Sequence, residues 1–222
     1  MSSSDLTLVI GNKNYSSWSL RPWIFLKQFN VDFKEKRVAL FTNNTDQQLE
    51  SYGSNFKVPV LQQDDLTIWD SLSILEYVSE RFLQGKGWPA RIEARAFARS
   101  MSAEMHSSFT ALRKEMPMNC RKKFEGITFS KTALEDVERI KQLWNQCHQL
   151  YGNDGPWLAG QFSIVDAMYI PIVLRLHGYN IKLEGFSKEY VSTVLANKFV
   201  REWVHDGEKE TEVIAEDEIS IK

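Results

Sequence analysis

The sequence predicts an α/β region at residues 1–83, followed by an all-helical region at residues 92–222. In the first region the hydrophobic period changes often, as it does where short strands alternate with helices. Two of the strand-like runs are separated by only a short polar turn, which joins antiparallel neighbours and therefore requires a mixed sheet. Beyond residue 92 the apolar residues recur at steps of three and four, which is the helical period.

The first region reads in the order β-α-β-(α)-β-β-α. An apolar run at residues 6–10 predicts the first strand, and the turn-forming cluster at 11–14 ends it. Three serines then precede an apolar run at 20–27 that carries a proline in its first turn. This is typical of a helix start, because proline lacks only an N–H that would be unpaired there. A second strand is expected at 33–38.

The end of this region contains the two strands of a hairpin. Residues 58–61, Val-Pro-Val-Leu, and residues 67–69, Thr-Ile-Trp, have the composition of short strands, and the polar residues 63–65 form the turn between them. Asp70 or Ser71 then caps a helix whose apolar positions keep helical spacing. We therefore expect four strands in one mixed sheet.

The helical region follows a linker at 84–91, which combines glycine, proline and polar residues. The expected helices cover residues 92–114, 132–151, 163–176, 188–195 and 198–205. The third of these begins with a Ser-x-x-acid capping pattern at 163–166, in which each side chain satisfies a free amide of the first turn. The tail from Asp206 is strongly acidic, and we expect it to be a loosely held surface segment.

The composition excludes several classes of function. Among 222 residues 43% are hydrophobic and 25% are charged, which is the balance of a folded globular protein. The net charge of −2 provides no basic excess for nucleic acid or an anionic membrane. The apolar runs are also far shorter than the roughly 20 residues that span a bilayer. We therefore expect neither nucleic acid nor a membrane as a partner.

The cysteines and the first residues predict a cytoplasmic location. Cys120 and Cys147 are too few for a disulfide framework, a CxxC redox pair or a four-cysteine zinc site, and we expect both to be ordinary thiols. The first residues have neither the basic nor the apolar segment of a secretory signal. The histidines have no metal-ligand spacing, so no metal site is expected.

Three short motifs contain the candidate chemistry. The first is Val-Pro-Val-Leu at 58–61, where a proline opens a strand and so favours an edge or a bend. The second is Asp70-Ser71 directly after the fourth strand, at a helix start where backbone N–H groups and the helix dipole favour an anion. The third is Tyr-Ser-Ser-Trp-Ser-Leu-Arg-Pro at 15–22. Together these motifs resemble the cytosolic glutathione transferases, and the resemblance extends over nearly the whole chain.

The resemblance implies a thioredoxin-like first domain, a helical second domain, a symmetric homodimer, and glutathione as co-substrate with no other cofactor. In this family the proline of the third strand follows a cis peptide bond, and the preceding residue, here Val58, pairs through its backbone with the tripeptide. Asp70 and Ser71 take the positions that bind the ammonium and carboxylate of the γ-glutamyl group; the alternative is that they are plain caps. Lys57 is a further candidate contact, with a solvated surface lysine as the alternative.

Ser16 and Ser17 match the leading serines of the Ser-Ser-x-Ser-x-Arg stretch of the zeta class, which border the glutathione sulfur. We expect one of them to donate a hydrogen bond to the thiolate; the alternative is that both only cap the helix. Trp18 stands where zeta enzymes often carry cysteine, which argues against zeta-type isomerase chemistry. Tyr15 is a less favoured hydroxyl donor.

A pocket for the second substrate is expected along the first helix of the second domain. Met105, His106, Phe109 and Arg113 lie along one side of that helix, which faces the active cleft in the family. The alternative is that the Met and Phe stripe belongs to the core.

These inferences predict a transferase in which the glutathione thiolate attacks a small, largely apolar electrophile, as in detoxification. Two alternatives stay open. One is a zeta-like glutathione-dependent isomerase or dehalogenase that returns glutathione, and the other is a noncatalytic binding protein with the same fold. The segments Ser-Ala-Glu-Met-His-Ser at 102–107 and Met-Pro-Met-Asn at 116–119 resemble a bacterial branch of the superfamily.

Overall fold

The computed structural model describes residues 6–53 and 55–219. Its strands are β1 (Thr7–Ile10), β2 (Lys34–Arg37), β3 (Val60–Gln63) and β4 (Leu66–Trp69). They form one sheet in the order β2-β1-β3-β4, with β1 and β2 parallel and the other neighbouring pairs antiparallel. The predicted mixed sheet is confirmed. The third strand begins at Val60 instead of residue 58, since Pro59 has no N–H to donate to a sheet ladder.

The helices of the described residues are α1 (Ser17–Gln28), α2 (Thr45–Glu50), α3 (Ser71–Leu83), α4 (Ile92–Ser107), α5 (Thr110–Glu115), α6 (Lys131–Tyr151), α7 (Ile164–Gly178), α8 (Gly185–Ala196) and α9 (Lys198–Lys209), with a 3-10 turn at Ala215–Asp217. Helices α1 to α3 alternate with the strands or directly follow them in the chain, and α4 to α9 come after this region. The architecture is therefore a thioredoxin-like domain followed by a helical domain. Residues 84–91, between α3 and α4, form neither helix nor strand.

Side-chain caps define where two of the important helices begin. The Asp70 carboxylate accepts the backbone N–H groups of Leu72 and Ser73 at 2.9 and 3.2 Å, so Asp70 is the cap of α3. At the start of α7 the Asp166 carboxylate accepts the N–H of Ser163 at 2.9 Å within a capping box. These bonds satisfy amides that the first turn of a helix leaves unpaired. Both caps were predicted from the sequence.

Helix α7 lies at the centre of the packing. Nearly all of its side chains are buried, and it packs against both α1 and α4. One continuous hydrophobic core contains residues of both domains, such as Trp23, Met101 and Trp203. Because α1 is packed on α7, the serines at the start of α1 have a defined position relative to the helical domain.

The expected helix over 92–114 is wrong in one respect, because the chain divides it into α4 and α5. Phe109, between the two helices, adopts a φ of 61°, in the left-handed region. A residue in that region cannot continue a right-handed helix. Asp136 of α6 accepts the N–H of Leu112 at 3.0 Å, which gives the first turn of α5 a partner from another helix. The apolar spacing continues across the break, so the periodicity alone did not reveal it.

The expectation of a loosely held tail is also wrong for the part of the tail that the structure describes. The Lys13 ammonium pairs with Asp206 at 2.9 Å. The Glu210 carboxylate accepts the backbone N–H groups of Lys13 and Asn14 at 2.8 and 3.0 Å. The acidic side chains of the tail therefore meet donors and a cation of the first domain, which compensates their like charges.

Residues further along the tail are held in the same way. Arg37 forms an ion pair with Glu212 at 2.8 Å. Arg121 donates to the backbone oxygens of Glu210 at 2.5 Å and Glu212 at 2.9 Å. These contacts fasten the tail to the edge of the first domain and to the loop that follows α5.

Within residues 6–53 and 55–219, no helix is both long and apolar enough to cross a membrane. In the same ranges no three His, Cys, Asp or Glu side chains come close enough to hold a metal ion. Cys120 and Cys147 are free thiols. Burial raises the pKa of each to about 12, so both are protonated at neutral pH.

Candidate functional site

A cavity of about 860 Å³ opens between the two domains. Its wall combines the turn before α1, the loop before β3, the start of α3, side chains of the helical domain and part of the tail. The predicted site residues in this wall are Ser16, Ser17, Lys57, Val58, Asp70, Ser71 and Arg113. The fold therefore brings together most of the candidates that the sequence separates.

Ser16 and Ser17 are both nearly buried, but their hydroxyl groups have different partners. The Ser16 hydroxyl donates to Ser19 Oγ at 2.8 Å, and Ser19 Oγ also accepts the N–H of Gly11 at 3.1 Å. The Ser17 Oγ accepts from Nη2 of Arg175 at 3.1 Å. The hydrogen of Ser16 is thus used inside the protein, whereas that of Ser17 has no acceptor among the described residues. Ser16 occupies the cap position of α1 without making a side-chain capping bond.

The turn that precedes these serines is held by the helical domain. Trp203 Nε1 donates to the backbone oxygen of Lys13 at 2.9 Å, and Asn14 Oδ1 accepts the N–H of Cys120 at 2.8 Å. Gly207 of α9 lies directly against the turn, because a Cβ placed there would be 3.0 Å from the Asn14 nitrogen. The position of the serines therefore depends on contacts with the second domain.

The loop before β3 forms another part of the wall. The Val58–Pro59 peptide bond is cis, as the family resemblance implies. Val58 is half-buried against the cavity, and Lys57 is exposed at its rim. Two large aromatic side chains, Phe56 and Trp69, are 53% and 52% exposed and also border the cavity. The rim therefore offers apolar surface beside a cation.

The start of α3 presents both a negative and a positive environment. Asp70 uses Oδ1 to cap the helix, and its Oδ2 lies 2.5 Å from Nε2 of His106. Ser71 is buried, and its Oγ accepts from Nη1 of Arg21 at 3.2 Å. A helix N-terminus with a hydroxyl backed by arginine favours a carboxylate, and a neighbouring carboxylate favours an ammonium group. The pair can therefore bind the two charges of an amino-acid end.

The four residues expected in a second-substrate pocket are separated in the structure. Arg113 lines the cavity, and His106 lies beside it, bound to Asp70. Met105 and Phe109 are only 1% and 5% exposed and belong to the hydrophobic core. The expectation that Met105 and Phe109 line the pocket is therefore wrong. The apolar face of α4 packs against α7, and the helical path is interrupted at Phe109.

Arg21 and Arg113 lie beside the Trp18 ring, and Arg175 lines the same cavity; the sequence predicted no role for Arg21 or Arg175. The guanidinium carbons of Arg21 and Arg113 lie 4.1 and 5.0 Å from the centre of the Trp18 ring. Burial, and to a smaller extent repulsion from Arg113, lowers the pKa of Arg21 to about 9 and that of Arg175 to about 10. These groups stay charged at neutral pH. Arg175 lies within the apolar helix α7, and an arginine there is a usable sequence signal because arginine is rarely buried without a partner.

The tail completes the cavity wall with Ile214 and Asp217. Nearby, the Tyr15 hydroxyl donates to Glu218 at 2.5 Å and accepts from Arg121 at 2.5 Å. Burial and the bond to Glu218 raise the pKa of Tyr15. The phenol is therefore engaged with the tail, and its hydrogen is not free for a ligand in the cavity.

Residues 15–81 match the family model for the glutathione S-transferase N-terminal domain. This range contains the predicted residues from Ser16 to Ser71. Among solved structures, a glutathione transferase homolog from Burkholderia with bound glutathione has the same fold, with a TM-score of 0.69 and 22% sequence identity. That alignment covers 93% of this chain and 99% of the Burkholderia chain.

Two sequence relatives differ in how much of the chain they share. A probable maleylacetoacetate isomerase of Caenorhabditis elegans is 26% identical over 175 residues, which cover 77% of this chain and 78% of the relative. A dichloromethane dehalogenase of Methylorubrum extorquens is 32% identical over 69 residues, or 30% of this chain. The chain matches only 24% of the length of that dehalogenase.

Proposed function

Since the chain belongs to the cytosolic glutathione transferase superfamily, we propose that it activates the thiol of glutathione for attack on a small electrophile with an apolar body. The observation that carries this proposal is the environment of Ser17. Its hydroxyl lies in the cavity wall, accepts from Arg175 and keeps its own hydrogen for a ligand. We assign the bond to the glutathione sulfur to Ser17, because the Ser16 hydrogen is already donated to Ser19.

The energy that such a bond supplies is sufficient. A thiol with a pKa near 8.5 is about 3% ionised at pH 7. Lowering that pKa by two units ionises roughly 75% of it and needs about 2.7 kcal/mol of preferential thiolate stabilisation. A charge-assisted hydrogen bond contributes about 1.5–3 kcal/mol, and a helix N-terminus about 0.3–1 kcal/mol. Ser17 at the start of α1 can therefore stabilise the thiolate without acting as a base.

Arg175 supports this role from behind the hydroxyl. Its guanidinium donates to Ser17 Oγ and to the backbone oxygen of Met116 at 2.5 Å, which holds the charge in place. A donor on the oxygen polarises the O–H bond toward the cavity. The positive charge also favours an anion at the sulfur position.

The rest of glutathione is assigned to the residues at the other side of the cavity. Ser71, through its hydroxyl and its backbone N–H, takes the γ-glutamyl carboxylate, and Asp70 takes the ammonium group. Val58 pairs with the tripeptide backbone, and Lys57 at the rim attracts the terminal carboxylate. In this assignment each charged group of glutathione lies next to a group of opposite charge or next to a hydrogen-bond donor.

A second activity, in which glutathione returns unchanged, is favoured by the names of the isomerase and dehalogenase relatives. Trp18 weighs against the isomerase, because the zeta class often carries cysteine there. A noncatalytic protein would bind glutathione weakly and leave its thiol protonated. Measuring free glutathione after turnover separates transfer, which consumes it, from isomerisation, which does not.

The decisive experiment is a pH titration of bound glutathione, followed by the ultraviolet absorbance of its thiolate. Ser17→Ala should raise the thiol pKa by about 1–2 units, because it removes about 1.5–3 kcal/mol and each unit corresponds to 1.36 kcal/mol. Ser16→Ala is the matched control and should shift it by less than about 0.5 units. If both variants titrate like the parent protein, the assignment of Ser17 is wrong.

The assembly and location are proposals as well. Membership of the superfamily supports a symmetric homodimer, a cytoplasmic location, and glutathione as co-substrate without another cofactor. Sedimentation at several protein concentrations tests the dimer, since a monomer at all concentrations would contradict it.

A further inference from the structure

Three guanidinium groups lie beside the cavity, and the proposed thiol chemistry accounts for two of them. Arg175 donates to Ser17, next to the sulfur position, and Arg21 donates to Ser71, next to the γ-glutamyl carboxylate. Arg113 contacts neither serine. The residue roles proposed above for the binding and activation of glutathione therefore do not use its charge.

Only one of the three guanidinium nitrogens of Arg113 donates hydrogen bonds to other described residues. Nη2 donates to the backbone oxygens of Met105 and His106, the latter at 3.3 Å, at the end of α4. Among the described residues no acceptor is found for its Nε or Nη1. The guanidinium is half-buried, lies over Trp18 and lines the cavity. Its free donors are therefore positioned for something that enters the cavity.

No carboxylate neutralises this charge within ion-pair distance. Among the described residues, none of the three arginines has a carboxylate oxygen within 4 Å of its side-chain nitrogens. Asp136 and Asp217 influence the pKa values of Arg113 and Arg175 from a greater distance. A partly buried cation without an ionic partner is unfavourable. An anionic ligand that supplies this partner gains binding energy.

We propose that Arg113 binds a carboxylate on the second substrate, so that the electrophile is an acidic molecule and not merely an apolar one. This inference rests on the proposed function and names its substrate class. The Nε–H and Nη1–H groups have no protein acceptor among the described residues, and each can donate a charge-assisted hydrogen bond to a carboxylate. The apolar part of the substrate would lie against Ile214 of the tail, which also lines the cavity.

The chemistry of the test reaction is a substitution on an activated ring. With 4-chloro-3,5-dinitrobenzoate, the glutathione thiolate forms a carbon–sulfur bond at the carbon that bears chlorine. The carbon–chlorine bond breaks with its electron pair, and chloride leaves. The thiol proton passes to solvent when the thiolate forms. The reaction needs no oxidant or reductant.

The test compares this acid with its methyl ester, which has the same reacting ring and no charge. Each kcat/KM is divided by the uncatalysed rate constant of the same compound, so that intrinsic reactivity cancels. The parent protein should prefer the acid by about 10- to 100-fold, the range expected for a charge-assisted bond. Arg113→Met should reduce this preference to less than about threefold, mainly through KM for the acid, and Arg113→Lys should retain part of it.

Lys114→Met is the matched control, because Lys114 is exposed, adjacent in sequence and carries the same charge. It should leave the preference unchanged. If the parent protein turns over the ester as well as the acid, the inference is overturned and the proposed function stands. If the parent protein turns over neither compound and does not ionise glutathione, the inference and the proposed function both fail. If the Lys114 and Arg113 variants lose the preference for the acid equally, the preference comes from net charge alone. That result would also overturn the inference.

Discussion

Glu210 is predicted to hold the turn that leads to the site serines, and Glu210→Ala tests this directly. The carboxylate accepts the backbone N–H groups of Lys13 and Asn14 at 2.8 and 3.0 Å. Both of these residues are buried, so the substitution leaves two amides without their acceptors. The turn would then lose its main tie to the tail.

The expected magnitude follows from those two amides. A buried donor without a partner costs about 1–3 kcal/mol. Water can reach part of this site, so we expect a loss of about 2–4 kcal/mol in the free energy of unfolding instead of the full sum. For a chain of this size each kcal/mol shifts Tm by about 2–4 °C, which gives a decrease of roughly 5–15 °C.

Urea unfolding and thermal scans measure this loss, and the matched control is Glu208→Ala. Glu208 is exposed and makes no hydrogen bond through its side chain among the described contacts, yet it carries the same charge two positions away. Its replacement should change the free energy of unfolding by no more than about 0.5 kcal/mol. If the Glu210 variant unfolds like the control, the tail does not hold the turn, and the contacts of Glu210 contribute nothing to stability.

Three further predictions concern packing and charge. Gly207→Ala gains about 1 kcal/mol of helix propensity but forces a Cβ to 3.0 Å from the Asn14 nitrogen, so a net loss of about 1–2 kcal/mol is expected in urea unfolding; a more stable variant would mean that the turn can move. Met105→Ala should cost about 2–5 kcal/mol as a core cavity while calorimetric glutathione affinity stays the same, and weakened affinity would return Met105 to the site. The hydrogen bond from Arg37 lowers the pKa of Glu212 below its usual 4.5, so its stabilising contribution is present above pH 4.5 and is lost as the pH falls through the folded value. Arg37→Met should raise that pKa in a carboxyl NMR titration, and an unchanged value would contradict the pairing.

The elements of the first domain could be predicted because their signals are local. Alternating apolar runs, a short polar turn and an Asp-Ser helix start lie within a few residues of the structure they specify. The same holds for the capping box of α7. The division of the first long helix could not be predicted, because it depends on the left-handed backbone of Phe109 and on an acceptor supplied by Asp136 from another helix.

The candidate site was predictable only on the side that contains short motifs. The packing of the tail has no local signal, because its acidic residues pair with groups far away in the sequence; Lys13 and Glu210 are 197 positions apart. The same holds for Arg175, since the hydroxyl that it contacts lies 158 positions earlier. Contacts at such separations depend on how α1, α7 and α9 pack, and that packing is not visible in any local pattern.

The clamp of Glu210 on the turn before α1 has a consequence for biosynthesis. The sheet and the serines leave the ribosome early, whereas the carboxylate that steadies them is translated 197 positions after Lys13. During synthesis the turn is therefore made long before its acceptor exists. Any chain that stops short of Glu210 lacks the acceptor for both amides of the turn.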